Sequence, residues 1–152
     1  MKWKLMRIRG MGDVLADMIV QSGLSMRSLA FSSVYIRLAF NGCDSKMAEI
    51  IRAAATKYSQ CEPEVNMIEL AKVQNSSPSL SRLLAIGLST VEAEIVLAAY
   101  PNWDKLAFET PIDLINFFDF APRSAVAVVA LSRMICLTPG SPDKLEAYLE
   151  KK

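Results

Sequence analysis

The stretch Phe120 to Leu137, FAPRSAVAVVALSRMICL, constrains the fold of this chain more than any other. Ala125 to Leu131 is an unbroken apolar run, and between Pro122 and Leu137 only Arg123, Ser124, Ser132 and Arg133 interrupt that character. The alanines favour helix, because alanine loses no side-chain entropy there, whereas the valines alone would suit a strand. Length decides between them: about sixteen residues is long for a strand and ordinary for a helix. On a helix the two serines lie about 80° apart, as do the two arginines, so polar groups take up limited sectors of the circumference. A nearly buried central helix over 122–137 is therefore expected, with Arg123 and Arg133 snorkelling or paired at its edges. Crossing a bilayer takes about 20 apolar residues, and this run is shorter and charged near both ends. No membrane span and no membrane partner are expected.

A helix so apolar needs other helices to cover it, and 152 residues at 52% hydrophobic content can build that core as a single domain, 1–152. Asp13 to Gln21 has Val14, Leu15, Met18 and Ile19 at helical spacing, with Gly23 placed to end it. A second helix runs from Ser25 or Met26 to Phe40, stopped by Asn41-Gly42, and a third from Asp44 or Ser45 to Lys57. Beyond these, proline after a residue able to cap recurs at Glu62-Pro63, Ser77-Pro78, Thr110-Pro111 and Ser141-Pro142. Proline suits the first helical position, where the amide hydrogen is not needed. Ser89 with Glu92 and Thr110 with Asp113 have the spacing of capping boxes. Helices are accordingly predicted over about 63–73, 78–86, 90–99, 111–118, 122–137 and 142–150. The fold class is all-α, a compact bundle of seven to nine helices. Met1 to Arg9 alternates loosely enough to form a short strand or an ordered arm.

Local readings complete the outline. Trp103 is expected to plug the core from a short connection or a single helical turn, and Phe117, Phe118 and Phe120 to form a core seam joining two helices. Leu80-Ser81-Arg82-Leu83-Leu84 resembles Leu131-Ser132-Arg133-Met134-Ile135, too short a match to establish a repeat. Were the two segments to pack equivalently, an arginine would emerge from each.

Function is constrained chiefly by exclusion. The chain has no histidine, which removes Ser/His/Asp and Cys/His catalysis and imidazole metal sites. Cys43, Cys61 and Cys136 are odd in number and widely spaced, which fits free thiols in a reducing, cytoplasmic setting. Cys136 should behave as a small hydrophobe, and Cys43 beside Asp44 has room to be exposed. Glu109, Asp113 and Asp119 are the acids best placed to converge, but no metal, cofactor or catalytic site is predicted, and Gly10-Met11-Gly12 lacks the remainder of a nucleotide-binding fingerprint. The basic opening is not followed by the continuous apolar region of a secretory signal.

Charge is the remaining lead. Residues 1–60 carry nine Lys/Arg against four Asp/Glu, net +5, and residues 61–152 eight against twelve, net −4. This divides the domain into a basic arm (1–10), a basic helical part (11–59) and an acidic helical part (60–152) around the central helix. Such a dipole suits nucleic acid or head-to-tail association with copies of itself or a partner, and it also arises in small domains by ordinary variation. Val14 to Phe40 admits a helix-turn-helix reading, against which stand bulky Ile19 before the turn and few Asn, Gln or Arg on the second helix. A looser surface of Lys2, Trp3, Lys4, Arg7, Arg9, Arg27, Arg37, Lys46, Arg52 and Lys57 could track an RNA or DNA backbone, with Trp3 stacking. The primary expectation is a non-catalytic interaction or assembly subunit of an intracellular complex, binding another protein or itself. A nucleic-acid-contacting subunit of the ribonucleoprotein effector type is the alternative. Met6, Met11, Met18 and Met26 near the basic front are the methionines whose exposure would bear on this.

Overall fold

The computed structural model describes residues 5–8, 12–40, 43–60 and 67–137. Among them lie ten α-helices and no strand: α1 Asp13–Ser22, α2 Met26–Leu29, α3 Ser33–Ala39, α4 Ser45–Ser59, α5 Met67–Gln74, α6 Leu80–Ala85, α7 Thr90–Ala99, α8 Trp103–Ala107, α9 Pro111–Phe118 and α10 Pro122–Cys136. The protein is an all-helical multi-helix bundle, and no helix among the described residues is long and apolar enough to cross a membrane.

Ten helices exceed the seven to nine expected, for two local reasons. The stretch expected to form one helix to Phe40 breaks after Leu29, where Ser32 turns extended (φ −161°) and a new helix starts at Ser33. Ser32 takes the N-cap position in extended conformation without a side-chain cap bond, and serine is a weaker helix former than alanine or leucine, so the Ser32-Ser33 pair is a weak point in an otherwise helical pattern. Trp103–Ala107 forms a helix of its own because the Asn102 side chain accepts the Lys105 N–H at 2.9 Å and caps it. The strand reading of Met1 to Arg9 is corrected where the segment is described, since Leu5 and Met6 are helical and Leu5 is fully buried. The predicted helix over 142–150 and the proline starts at Pro63 and Pro142 lie outside the described residues. At Ser77-Pro78 the helix begins later than expected, with Ser79 at the N-cap. The Ser77 hydroxyl donates instead to the Pro101 carbonyl at 3.1 Å.

α10 is the hub. Every residue from Ser124 to Ser132 is buried, as are Met134, Ile135 and Cys136, while Arg123 and Arg133 are half-buried at the edges. Helices α2, α3, α5, α8 and α9 pack against it. Ala125, Ala127, Ala130 and the two serines let neighbours approach closely, and the serines' hydroxyls are satisfied: Ser132 donates to the Val128 carbonyl (2.7 Å) and Ser124 to Glu92 Oε1 (2.9 Å). α4 forms an outer layer on α2 and α3, and α1, α6 and α7 succeed one another at another side.

Several helix ends are closed by side chains distant in sequence. Arg82 on α6 donates from Nε to the Ser22 carbonyl (2.7 Å) and from Nη2 to that of Gly23 (3.0 Å), closing the C-terminus of α1. Arg133 on α10 donates from Nε to the Ala107 carbonyl (3.0 Å) at the end of α8, and Gln74 to the Cys136 carbonyl (3.3 Å) at the end of α10. The two arginines of the similar LSR segments thus serve one purpose, a cation on the negative end of a neighbouring helix, and each points into the bundle. Glu92 does the converse. It completes a capping box with Ser89, and its Oε2 accepts the Ala121 N–H (3.3 Å) at the start of α10.

Candidate functional site

α4 presents two faces with different uses. Asp44 starts it, its Oδ1 accepting the Met47 N–H at 2.7 Å. Ala48, Ile51 and Ala55 are buried in the core. The adjoining stripe, Ile50, Ala53, Ala54, Lys57 and Tyr58, has helical spacing of 3, 4, 7 and 8 from its first member. With Arg7 and Ile8 opposite, it lines an apolar groove of about 670 Å³. The small side chains of Ala53 and Ala54 leave the space, while Arg7 and Lys57 set two cations in its lining. A concave apolar site with a few placed polar groups is the general form of a binding groove.

The groove gathers a small part of the basic surface proposed from sequence. Arg7 and Lys57 line it and both are exposed. Lys46 is exposed near the start of α4. Arg52 is held by Glu49 through Nε bonds of 3.1 and 3.0 Å and a short Nη2 contact, which keeps the Glu49 carboxyl below its ordinary range. Arg27 and Arg37 are half-buried, on α2 and α3. Burial, and then the nearby Arg37, lower the pKa of Arg123, so these two cations lie within electrostatic reach of each other. Lys2, Trp3, Lys4 and Arg9 lie outside the described residues. The helix-turn-helix reading is corrected by the break after Leu29. Gly23 turns left-handed and Ser25 caps as that reading required, but the second helix is one turn long and buries Met26, Ser28 and Leu29. Arg27 is its one side chain left partly outward.

Apolar exposure marks surfaces that sequence reading passed over. Val14 (75%), Ile68 (68%), Val91 (66%), Phe108 (71%) and Phe117 (77%) are displayed to solvent. Phe117 overturns the expected three-phenylalanine seam. Phe118 and Phe120 do pack, at 6.3 Å between rings, and Phe118 meets Tyr100 edge-on, but Phe117 stays exposed beyond the packed rings. Of the methionines, Met26 is buried, Met18 half-buried and Met6 exposed, and Met11 lies outside the described residues. α7 is the clearest case. Its sequence TVEAEIVLAA is apolar around the whole circumference apart from two glutamates, yet it buries Ala93 and Val96 and leaves Val91, Glu94, Leu97, Ala98 and Ala99 outward. A helix apolar on all sides normally lies inside a larger body. That signal was present in the sequence.

Tyr100 donates to Glu109 Oε2 at 2.8 Å, and burial followed by that carboxylate pushes its phenol well above the ordinary range. Thr110 ties two of the three acids considered for convergence together at the start of α9, its N–H donating to Glu109 Oε1 (3.1 Å) and its hydroxyl to Asp113 Oδ2 (3.0 Å), whereas Asp119 closes the far end of that helix in the left-handed conformation (φ +59°). Among the described residues no group of three His, Cys, Asp or Glu side chains could hold a metal ion. Cys43, expected to be exposed, is 6% exposed because its thiol turns inward and donates to the Asp44 carbonyl at 3.7 Å. Burial pushes the Cys43 thiol up to about 11 and that of Cys136 up to about 12. Since only the thiolate attacks, neither cysteine should be alkylated by a maleimide at pH 8 in the folded protein, and both should be in urea, as site-resolved mass spectrometry would show. Their contribution to stability is whole below the unfolded thiol value of 9.0 and is lost as pH rises through about 11 to 12.

Compared with protein-family models, with curated proteins and with solved structures, the chain matches none.

Proposed function

We propose that this chain is a non-catalytic helical interaction or assembly subunit of an intracellular, cytoplasmic complex, which binds another protein or a further copy of itself. The observation that carries this reading is the display of large apolar side chains, with Phe108 at 71% and Phe117 at 77% exposure on neighbouring segments around α9. Scattered apolar residues are normal on protein surfaces, but two phenylalanines so fully exposed lose free energy against water that a partner surface would recover. Aromatic side chains are also the ones most often found anchoring interfaces. Affinity capture with the wild-type chain and with a Phe108→Ser, Phe117→Ser variant, together with mass measured across a concentration series, tests the reading. A partner or self-association lost in the variant supports it. A concentration-independent monomer with no partner overturns it.

The alternative reading, contact with an RNA or DNA backbone, is favoured by the placing of Arg7 and Lys57 in one groove. It requires retention of an oligonucleotide that falls steeply with salt and weakens in Arg7→Glu and Lys57→Glu. No retention at low salt sinks it.

A further inference from the structure

We propose that the groove on α4 receives α7 of a second copy of this chain, in a head-to-tail contact; this rests on the assembly reading above. Three observations converge on that occupant. First, groove and helix correspond in shape. The groove has a floor of small residues, Ala53 and Ala54, over which a second helix can approach closely, and α7 carries Leu97 outward to enter part of that space. Second, they correspond in register. Ala53 and Ala54 lie four and three residues before Lys57, and Leu97 lies three residues after Glu94. At about 1.5 Å per residue, antiparallel helices with Leu97 over the alanines bring Glu94 opposite Lys57. Third, they correspond in charge. The groove's ionisable cations are Arg7 and Lys57, and the outward arc of α7 bears the single charge Glu94. The same opposition holds for the chain as a whole, net +5 over residues 1–60 and net −4 over 61–152. A nucleic acid would meet the two cations but leave Ile8, Ile50 and the alanines facing phosphate, whereas the α7 face covers both kinds of group.

Because groove and helix are different surfaces, each contact leaves one of each free, and association propagates into a ring or a filament. One helix seated in one groove buries less than the roughly 1,000 Å² expected of a stable interface. The affinity is therefore expected in the micromolar-to-millimolar range, and assembly should appear by concentration.

Sedimentation velocity from about 5 µM to about 1 mM is the test. The wild-type mass should rise at least about twofold over that range, less so at high salt. Ala53→Arg, which fills the groove, and Leu97→Asp, which spoils the helix face, should each stay monomeric. Both residues are exposed, so the variants should retain the wild-type circular dichroism spectrum. Mixed together, the two variants should form a dimer that grows no further, because one intact groove meets one intact face. Lys57→Glu and Glu94→Lys should weaken association singly and restore it when combined in one chain. A wild type that stays monomeric, folded variants that associate like the wild type, or a variant mixture that fails to dimerise overturns the contact. A monomer that still captures a partner through Phe108 and Phe117 overturns this contact alone; a monomer with no partner overturns the assembly reading too.

Discussion

Trp103→Ala is expected to lower the unfolding free energy by about 3–5 kcal/mol, the range for truncating a large buried aromatic side chain. Trp103→Phe should cost less than half of that. Trp103 is fully buried at the start of α8, its backbone N–H donates to the Ser76 carbonyl at 3.0 Å, and the Arg82 guanidinium lies 5.2 Å from its ring centroid. Alanine removes the packing and the cation–π contact together and leaves a cavity where α8 meets α10. Phenylalanine keeps most of the apolar volume and the ring face. It also removes a liability, because Trp103 Nε1 is buried with no hydrogen-bond acceptor among the described residues. An orphaned buried donor costs about 1–3 kcal/mol, so its loss offsets part of the lost area. Urea denaturation of the three proteins gives the comparison. If the phenylalanine variant is as unstable as the alanine one, the indole nitrogen is bonded after all. A domain of this size has roughly 5–15 kcal/mol of stability, so Trp103→Ala removes a large share of it.

Gly23 and Arg82 should prove strongly coupled. Gly23 sits at φ +77° at the end of α1, a conformation that costs an L-residue about 1–2 kcal/mol. A Cβ built there would overlap the Arg82 guanidinium, with Cζ and Nη2 at 2.7 Å. Gly23→Ala therefore carries the conformational cost and also displaces Arg82 from the Ser22 and Gly23 carbonyls and from Trp103. Hydrogen bonds to a charged group are worth about 1.5–3 kcal/mol, and burial of Arg82 strengthens them by excluding water, the same desolvation that lowers its pKa. The sum for Gly23→Ala is about 2.5–5 kcal/mol. Arg82→Ala alone should cost about 2–3 kcal/mol. In the Arg82→Ala background, Gly23→Ala should cost its conformational part only. A double-mutant cycle measures the difference; additive costs would mean that the guanidinium moves aside freely.

The helical class and the buried character of 125–131 were legible because both are local. Seven consecutive apolar residues leave no polar face at any register, and the alternation of alanine with valine decides for helix on length. The capping box at Ser89 was likewise readable, since both partners lie within four residues. Ser32-Ser33 shows where such reading fails. Tyr35, Ile36, Leu38 and Ala39 continue a helical pattern from Met26, and periodicity alone gives no sign that the axis changes between them. The groove was half legible. Ile50 and Ala54 have the helical spacing of an apolar stripe and are partly packed, but nothing local says that Arg7 and Ile8 stand across from them.

The two LSR segments separate what each level determines. From residues alone it follows that the chain is a helical bundle built on an alanine- and valine-rich hub, without histidine chemistry, and with opposite charge at its two ends. Burial propensity, helix periodicity and formal charge belong to individual residues and their near neighbours. Where Arg82 and Arg133 end up belongs to neither. Each finds the carbonyls of a helix terminus remote in the chain, as Gln74 does at the end of α10 and Glu92 at its start. The last turn of a helix leaves its carbonyls unbonded and the first turn its N–H groups. Which side chain satisfies them is decided only when the helices pack.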